Sequence, residues 1–133
     1  EILPEKKILQ IGIRSGTKEE FKLMHDNNQL INFRSGENGQ EFAKAISPYK
    51  NNPIYLTIDL DWFDPSLLSG TGTPEPGGFF WNDFEIILEE LKTFNIVASD
   101  IVELSPEIDS SGVSSIVAAK VLRSLIMTVN NMQ

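Results

Sequence analysis

The chain reads as an α/β protein with a mostly parallel, layered sheet. Strand-like and helix-like segments alternate along its length, as successive βα units require. Pro53-Ile54-Tyr55-Leu56-Thr57-Ile58 is short, apolar and β-branched, which suits a strand covered on both faces. Charged residues stand at the carboxyl ends of the strand patterns, where open α/β sheets form their binding crevice.

The elements follow in order. Lys7-Ile8-Leu9-Gln10-Ile11-Gly12-Ile13 predicts a first strand, closed by a turn at Arg14-Ser15-Gly16. Thr17 with Glu20 forms a capping box for a short helix running to His25. Leu30-Ile31-Asn32-Phe33 predicts a second strand. The segment from Gly36 to Gly39 predicts a loop, and Gln40 to Ile46 a helix that Pro48 stops. After the central strand, Asn82 and Glu85 suggest a second capping box, followed by Phe84, Ile87, Leu88 and Leu91 at helical spacing, with the helix ending near Asn95. Ile96 to Leu104 predicts a further strand, broken by Pro106, and Val113 to Val129 a long docking helix. Four strands are fewer than the roughly five or six usual for such a sheet, so part of the sheet is expected to lie outside this chain.

At 133 residues, 41% hydrophobic and 23% charged, the chain suits one unit with a buried core. A net charge of −8 leaves no basic surplus to displace counterions from nucleic-acid phosphates, so nucleic acid is not an expected partner. It suits cations or a cationic substrate, or simply a solvated surface. The absence of cysteine excludes disulfides and thiolate zinc sites and fits a reducing cytoplasm. No apolar run approaches the ~20 residues that span a bilayer, so no membrane partner is expected. Glu1 to Lys7 lacks the order of a signal peptide, and the missing initiator methionine points to a fragment or a trimmed product.

The most informative stretch is Asp59-Leu60-Asp61-Trp62-Phe63-Asp64-Pro65, followed by Gly70-Thr71-Gly72-Thr73-Pro74-Glu75-Pro76-Gly77-Gly78. Alternate side chains on a strand share a face about 6.6 Å apart, so Asp59 and Asp61 can converge on one ion or a close pair. Aspartates at a strand end also serve as caps or turn formers, and Asp64-Pro65 is turn chemistry. Two in-facing carboxylates after a buried strand are costly without a counterion. The glycine-proline loop fits a rigid connector or the wall of a site, because Gly72, Gly77 and Gly78 permit backbone angles closed to other residues. Trp62 and Phe63 fit core or interface positions better than a substrate cage. Asp59, Asp61, Glu103 and Arg14-Ser15 all close strand patterns, which gathers them on one rim.

The order Ile58-Asp59-Leu60-Asp61-x-x-Asp64-Pro65, then Gly70 to Gly78, then Val102-Glu103-Leu104-Ser105-Pro106 strongly resembles the ureohydrolase family of arginases and agmatinases. Pro-Glu-Pro-Gly-Gly, and Ile11-Gly12-Ile13-Arg14-Ser15 without an aspartate after the arginine, look closer to agmatinase. The resemblance implies an arginase-like three-layer α/β/α fold, with residues 1–133 as the C-terminal half of a single ureohydrolase domain. It implies Mn2+, two ions per active site in the intact protein. Asp59 would be the metal ligand bridging them and a catalytic residue, and Asp61 would bind one ion. Glu103 would be catalytic and would face the substrate guanidinium, with Thr73 as a second substrate-binding residue in the wall. The family's first-half ligands, a histidine and an Asp-x-His-x-Asp cluster, are absent from this sequence. His25 is the only histidine; it falls on a short helix and reads as solvated and structural.

The implied reaction is hydrolysis of a guanidinium, with agmatine giving putrescine and urea. The guanidinium carbon is a poor electrophile because its charge is delocalised, and a pair of cations about 3.5–4 Å apart meets that difficulty by lowering the pKa of a shared water. Carboxylate and imidazole suit manganese. Glu103 would hold the planar guanidinium through paired charge-assisted hydrogen bonds. The family also implies a homo-oligomer, a trimer or hexamer. Two other readings remain open. A magnesium-dependent phosphohydrolase of the haloacid dehalogenase type also ends a strand in Asp-x-Asp, although it normally has threonine or valine where this chain has Phe63 and places the motif at the start of its domain. A non-catalytic metal-binding fragment is the other. The missing ligands predict that this chain alone is inactive.

Overall fold

The structure, a computed structural model, describes residues 8–130. Strand β1 (Gln10–Ile11), helix α1 (Lys18–Asp26) and strand β2 (Leu30–Ile31) come first, and β1 and β2 pair in parallel. Lys7, where the sequence pattern begins this strand, and the rest of Glu1 to Lys7, read as lacking a signal-peptide pattern, lie outside the described residues. Both strands are shorter than the sequence suggests. Gly12 leaves the strand with φ 78°, and Phe33 turns into the core instead of continuing β2. Helix α1 begins as expected: the Thr17 hydroxyl accepts from the Glu20 N–H at 3.2 Å, and the Glu20 carboxylate accepts from the Thr17 N–H at 2.7 Å.

Helix α2 (Gln40–Ile46) ends in a 3-10 turn, Ser47–Tyr49, where Pro48 cannot continue the α-helical ladder. Strand β3 (Ile54–Asp59), helix α3 (Trp81–Leu91) and strand β4 (Ile96–Val102) then form a βαβ unit with β3 and β4 parallel. Helix α4 (Val113–Asn130) closes the described chain. It buries Ser114, Ala118, Val121, Leu125 and Thr128, whose alternating spacings of three and four residues trace one helix face.

Four findings correct the sequence reading. The strands form two separate parallel ladders, β1 with β2 and β3 with β4, rather than one sheet among the described residues. β3 is not covered on both faces: Ile54, Leu56 and Ile58 are half-buried, while Tyr55, Thr57 and Asp59 face outward, because the helices described here cover one side only. Helix α3 is capped at Phe80, not Asn82. Phe80 has no side-chain acceptor to offer, and the buried Asp83 carboxylate supplies the reciprocal bond from the Phe80 N–H at 2.8 Å while also accepting from the Ser35 hydroxyl and the Gly36 N–H. The same helix ends at Leu91 rather than near Asn95, since Phe94 is needed in the core and the chain must turn to enter β4.

The core has two parts. Phe33, Phe42, Phe79, Leu91 and Ile96 belong to one, and Leu60, Phe63, Leu68, Leu88 and Val121 to the other. Trp62 touches both, with its indole stacked on Phe79 at 4.3 Å between ring centroids. That anchor matters because Trp62 immediately follows Asp61.

Candidate active site

β3 ends at Asp59, and Leu60–Trp62 forms a 3-10 turn, so Asp61 does not lie in the strand as its alternation suggested. The cause is local. The Asp59 carboxylate accepts the Asp61 N–H at 2.8 Å and caps the turn, so the capping role open to these aspartates is realised at Asp59. The two acidic side chains stay close enough to interact. Partial withdrawal from water pushes the Asp59 carboxyl up from its ordinary value, and the Asp61 charge adds to that, while the Asp61 N–H and the Arg14 guanidinium oppose it.

The Asp61 carboxylate accepts the Thr73 hydroxyl at 2.7 Å through Oδ2, and Oδ1 is buried with no hydrogen-bond partner. A buried carboxylate oxygen without a donor is costly, and a cation would satisfy it. Carboxylate oxygens suit manganese, so this pair fits part of such a site. It is only part: among the described residues, no group of three or more histidine, cysteine, aspartate or glutamate side chains is placed to hold a metal ion.

Glu103 comes in from the neighbouring strand. Parallel register sets Asp59 opposite Val102, so Glu103 lies one residue beyond, at the same end of the ladder. β4 stops before it, and Glu103 has φ 69°, in the left-handed region, which corrects the expectation that the strand runs to Leu104. This turns the chain toward the glycine-proline loop, where Leu104 bridges Thr71 and a Glu103 carboxylate oxygen lies 3.9 Å from where a Cβ on Gly72 would be. The structure therefore brings Asp59, Asp61, Thr73 and Glu103 to one rim.

The loop is fixed at both ends. The Gly70 N–H donates to the buried Ser114 hydroxyl at 2.8 Å, and its carbonyl accepts from the Ser105 N–H at 2.8 Å. At the far end, the Asp64 carboxylate accepts the Gly77 and Gly78 N–H groups at 2.9 and 3.1 Å. Gly78 presses against the Asp64 backbone, leaving no room for a Cβ. The loop is thus a rigid connector that sets Thr73 against the Asp61 carboxylate. Phe63 is buried in the core, and His25 is exposed on the last turn of α1 beside Asp26.

Sequence reasoning placed Arg14 on the rim without a task and read Asp64 only as turn chemistry. Arg14 crosses from the end of β1 to bond the carbonyls of Asp61, Trp62 and Glu75 at distances from 2.5 to 3.2 Å. Its position after a strand was visible in the sequence, but its partners are backbone carbonyls, which no motif encodes.

These features define a parallel α/β unit with an acidic rim at the carboxyl ends of strands β3 and β4. The arginase family model matches residues 1–128, and the chain belongs to that family. It is 32% identical to an agmatinase of Chromobacterium violaceum over 98% of this chain and 40% of that protein. Among solved structures, a Clostridium difficile protein described as a candidate agmatinase superposes with a TM-score of 0.81 at 43% identity, over 92% of this chain and 45% of that one. The proclavaminate amidino hydrolase of Streptomyces clavuligerus gives a TM-score of 0.78 at 27% identity, over 97% of this chain and 44% of that one. The chain thus spans less than half the length of these relatives.

Proposed function

We propose that residues 1–133 are the C-terminal half of a single ureohydrolase domain that hydrolyses a guanidinium substrate, agmatine to putrescine and urea, with two manganese ions. The observation that carries this reading is the common rim: an adjacent Asp59 and Asp61 pair joined through the Asp61 N–H, with one unsatisfied buried oxygen, and Glu103 at the end of the adjacent parallel strand.

In this reading Asp59 and Asp61 hold the cations, with further ligands from protein outside this chain. When bound, the cations supply Lewis acidity and a nucleophilic water near neutral pH. This chain's residues do the rest. Glu103 accepts the guanidinium N–H groups and fixes the carbon in place. Thr73 holds the Asp61 carboxylate and stands in the substrate wall. A short, pinned loop keeps that wall from moving during turnover. A homo-oligomer acting in the cytoplasm completes the proposal. Among the described residues no helix is long and apolar enough to cross a membrane.

The test separates metal from substrate. In the intact protein Asp59→Asn, which keeps an acceptor for the cap, should lose bound manganese and urea release together. Glu103→Gln should keep the manganese and lose turnover by about 100-fold or more. Normal metal content and normal turnover in Asp59→Asn would refute the assignment. Phosphatase activity with magnesium and no urea release would instead favour the phosphohydrolase reading.

A further inference from the structure

We propose that Arg14 is the positioning residue for Asp61: its guanidinium clamps the two backbone segments that aim the Asp61 carboxylate, and so sets the affinity of the one cation that Asp61 would ligate. This inference rests on the ureohydrolase reading and extends it to a residue outside the ligand set.

Two segments control where the Asp61 side chain points. One is its own 3-10 turn; the other is the loop carrying Thr73, whose hydroxyl holds Oδ2 at 2.7 Å. Arg14 grips both. Its Nη2 donates to the Asp61 carbonyl at 2.5 Å and to the Glu75 carbonyl at 2.9 Å, its Nη1 to the Trp62 carbonyl at 3.1 Å, and its Nε again to Glu75 at 3.2 Å. With the Asp61 N–H held by Asp59 and its carbonyl by Arg14, the atom of this residue left without a partner is the buried Oδ1.

The backbone is arranged to let Arg14 reach this point. Gly12 has φ 78°, and a Cβ there would lie 2.5 Å from the Trp62 indole. Only glycine lets the end of β1 come so close to the Asp61 turn. Among the described residues no carboxylate is within ion-pair distance of Arg14, so its fork is committed to carbonyls. A planar guanidinium presents donors in several fixed directions at once, which a lysine ammonium cannot reproduce across two segments.

The experiment is a manganese titration of the intact protein by calorimetry, wild type against Arg14→Lys. The expected result is one manganese equivalent weakened about 10-fold or more, as when a support behind a metal ligand is lost, with the other at wild-type affinity. For agmatine, kcat should fall while KM, set chiefly by Glu103, changes by less than about 2-fold. Amide exchange in the metal-free variant should quicken at Asp61 and Phe63, whose N–H groups bond Asp59 and the Leu60 carbonyl, and at Gly77 and Gly78, which bond Asp64. Two equivalents at wild-type affinity, or both weakened alike, would overturn the proposal. If Arg14→Lys does not fold, Arg14→Gln, which keeps planar N–H donors at the same position, is judged by the same two results. A wild-type protein that binds no manganese would sink the ureohydrolase reading itself, and this inference with it.

Discussion

Glu103 is held in a left-handed backbone conformation that costs a non-glycine residue about 1–2 kcal/mol. The strain buys a side chain directed back over the loop beside Gly72 instead of along the strand. Stability and function should therefore part at this position. Glu103→Gly should be more stable than Glu103→Ala by about 1 kcal/mol in urea denaturation, the reverse of their order within a regular strand, although neither retains turnover. Asp64 gives a second prediction. The Ser66 hydroxyl and N–H, then the Gly77 and Gly78 N–H groups, hold its carboxyl down at about 2, against about 3.9 in an unfolded chain. An acid whose pKa is lowered by folding stabilises the fold above its unfolded value and loses that contribution as pH falls through its folded value. The stability gap between wild type and Asp64→Asn should be full at neutral pH and close between about pH 4 and pH 2.

At the level of elements, legibility depended on whether a signal was local. Helix α2 and the start of α1 were readable because Pro48, Thr17 and Glu20 act within one turn. The βαβ unit was readable from its alternating pattern, as was the buried face of α3. The cap of α3 was not, because Asp83 also answers Ser35 and Gly36, more than forty residues earlier. Local spacing favoured Asn82, and a tertiary contact decided for Asp83. Asp83→Ala should then cost about 1–2 kcal/mol by removing the carboxylate that caps the helix at Phe80 and ties it to Ser35 and Gly36, whereas Asn82→Ala should stay within about 0.5 kcal/mol. Thermal melts of the two variants check this. The rim shows the same division. Which strand ends carry Asp59, Asp61 and Glu103 was legible from strand patterns alone. That Asp61 sits in a turn, that Glu103 leaves the strand, and that Arg14 spans the gap all depend on backbone bonds between distant segments.

Across the whole molecule, the separate ladders and exposed faces share one account. Tyr55 and Val97 on the open side of the β3 and β4 ladder are 58% and 60% exposed, and Ile116 on α4 is 60% exposed. Large apolar side chains left this open are normal one at a time. Here they accompany a two-stranded ladder, a rim with a pair of aspartates one of whose buried oxygens has no partner, and relatives more than twice as long. A second half of the domain would cover the faces and complete the ligand set together. The measurement that tests this most directly is bound manganese, by metal analysis after dialysis, and urea released from agmatine, on the isolated 133-residue chain and the intact protein side by side. The account predicts two manganese ions per site with urea release in the intact protein, and neither in the isolated chain. Urea release by the isolated chain, or an intact protein that keeps both ions after Asp59 and Asp61 are changed to asparagine, would contradict it.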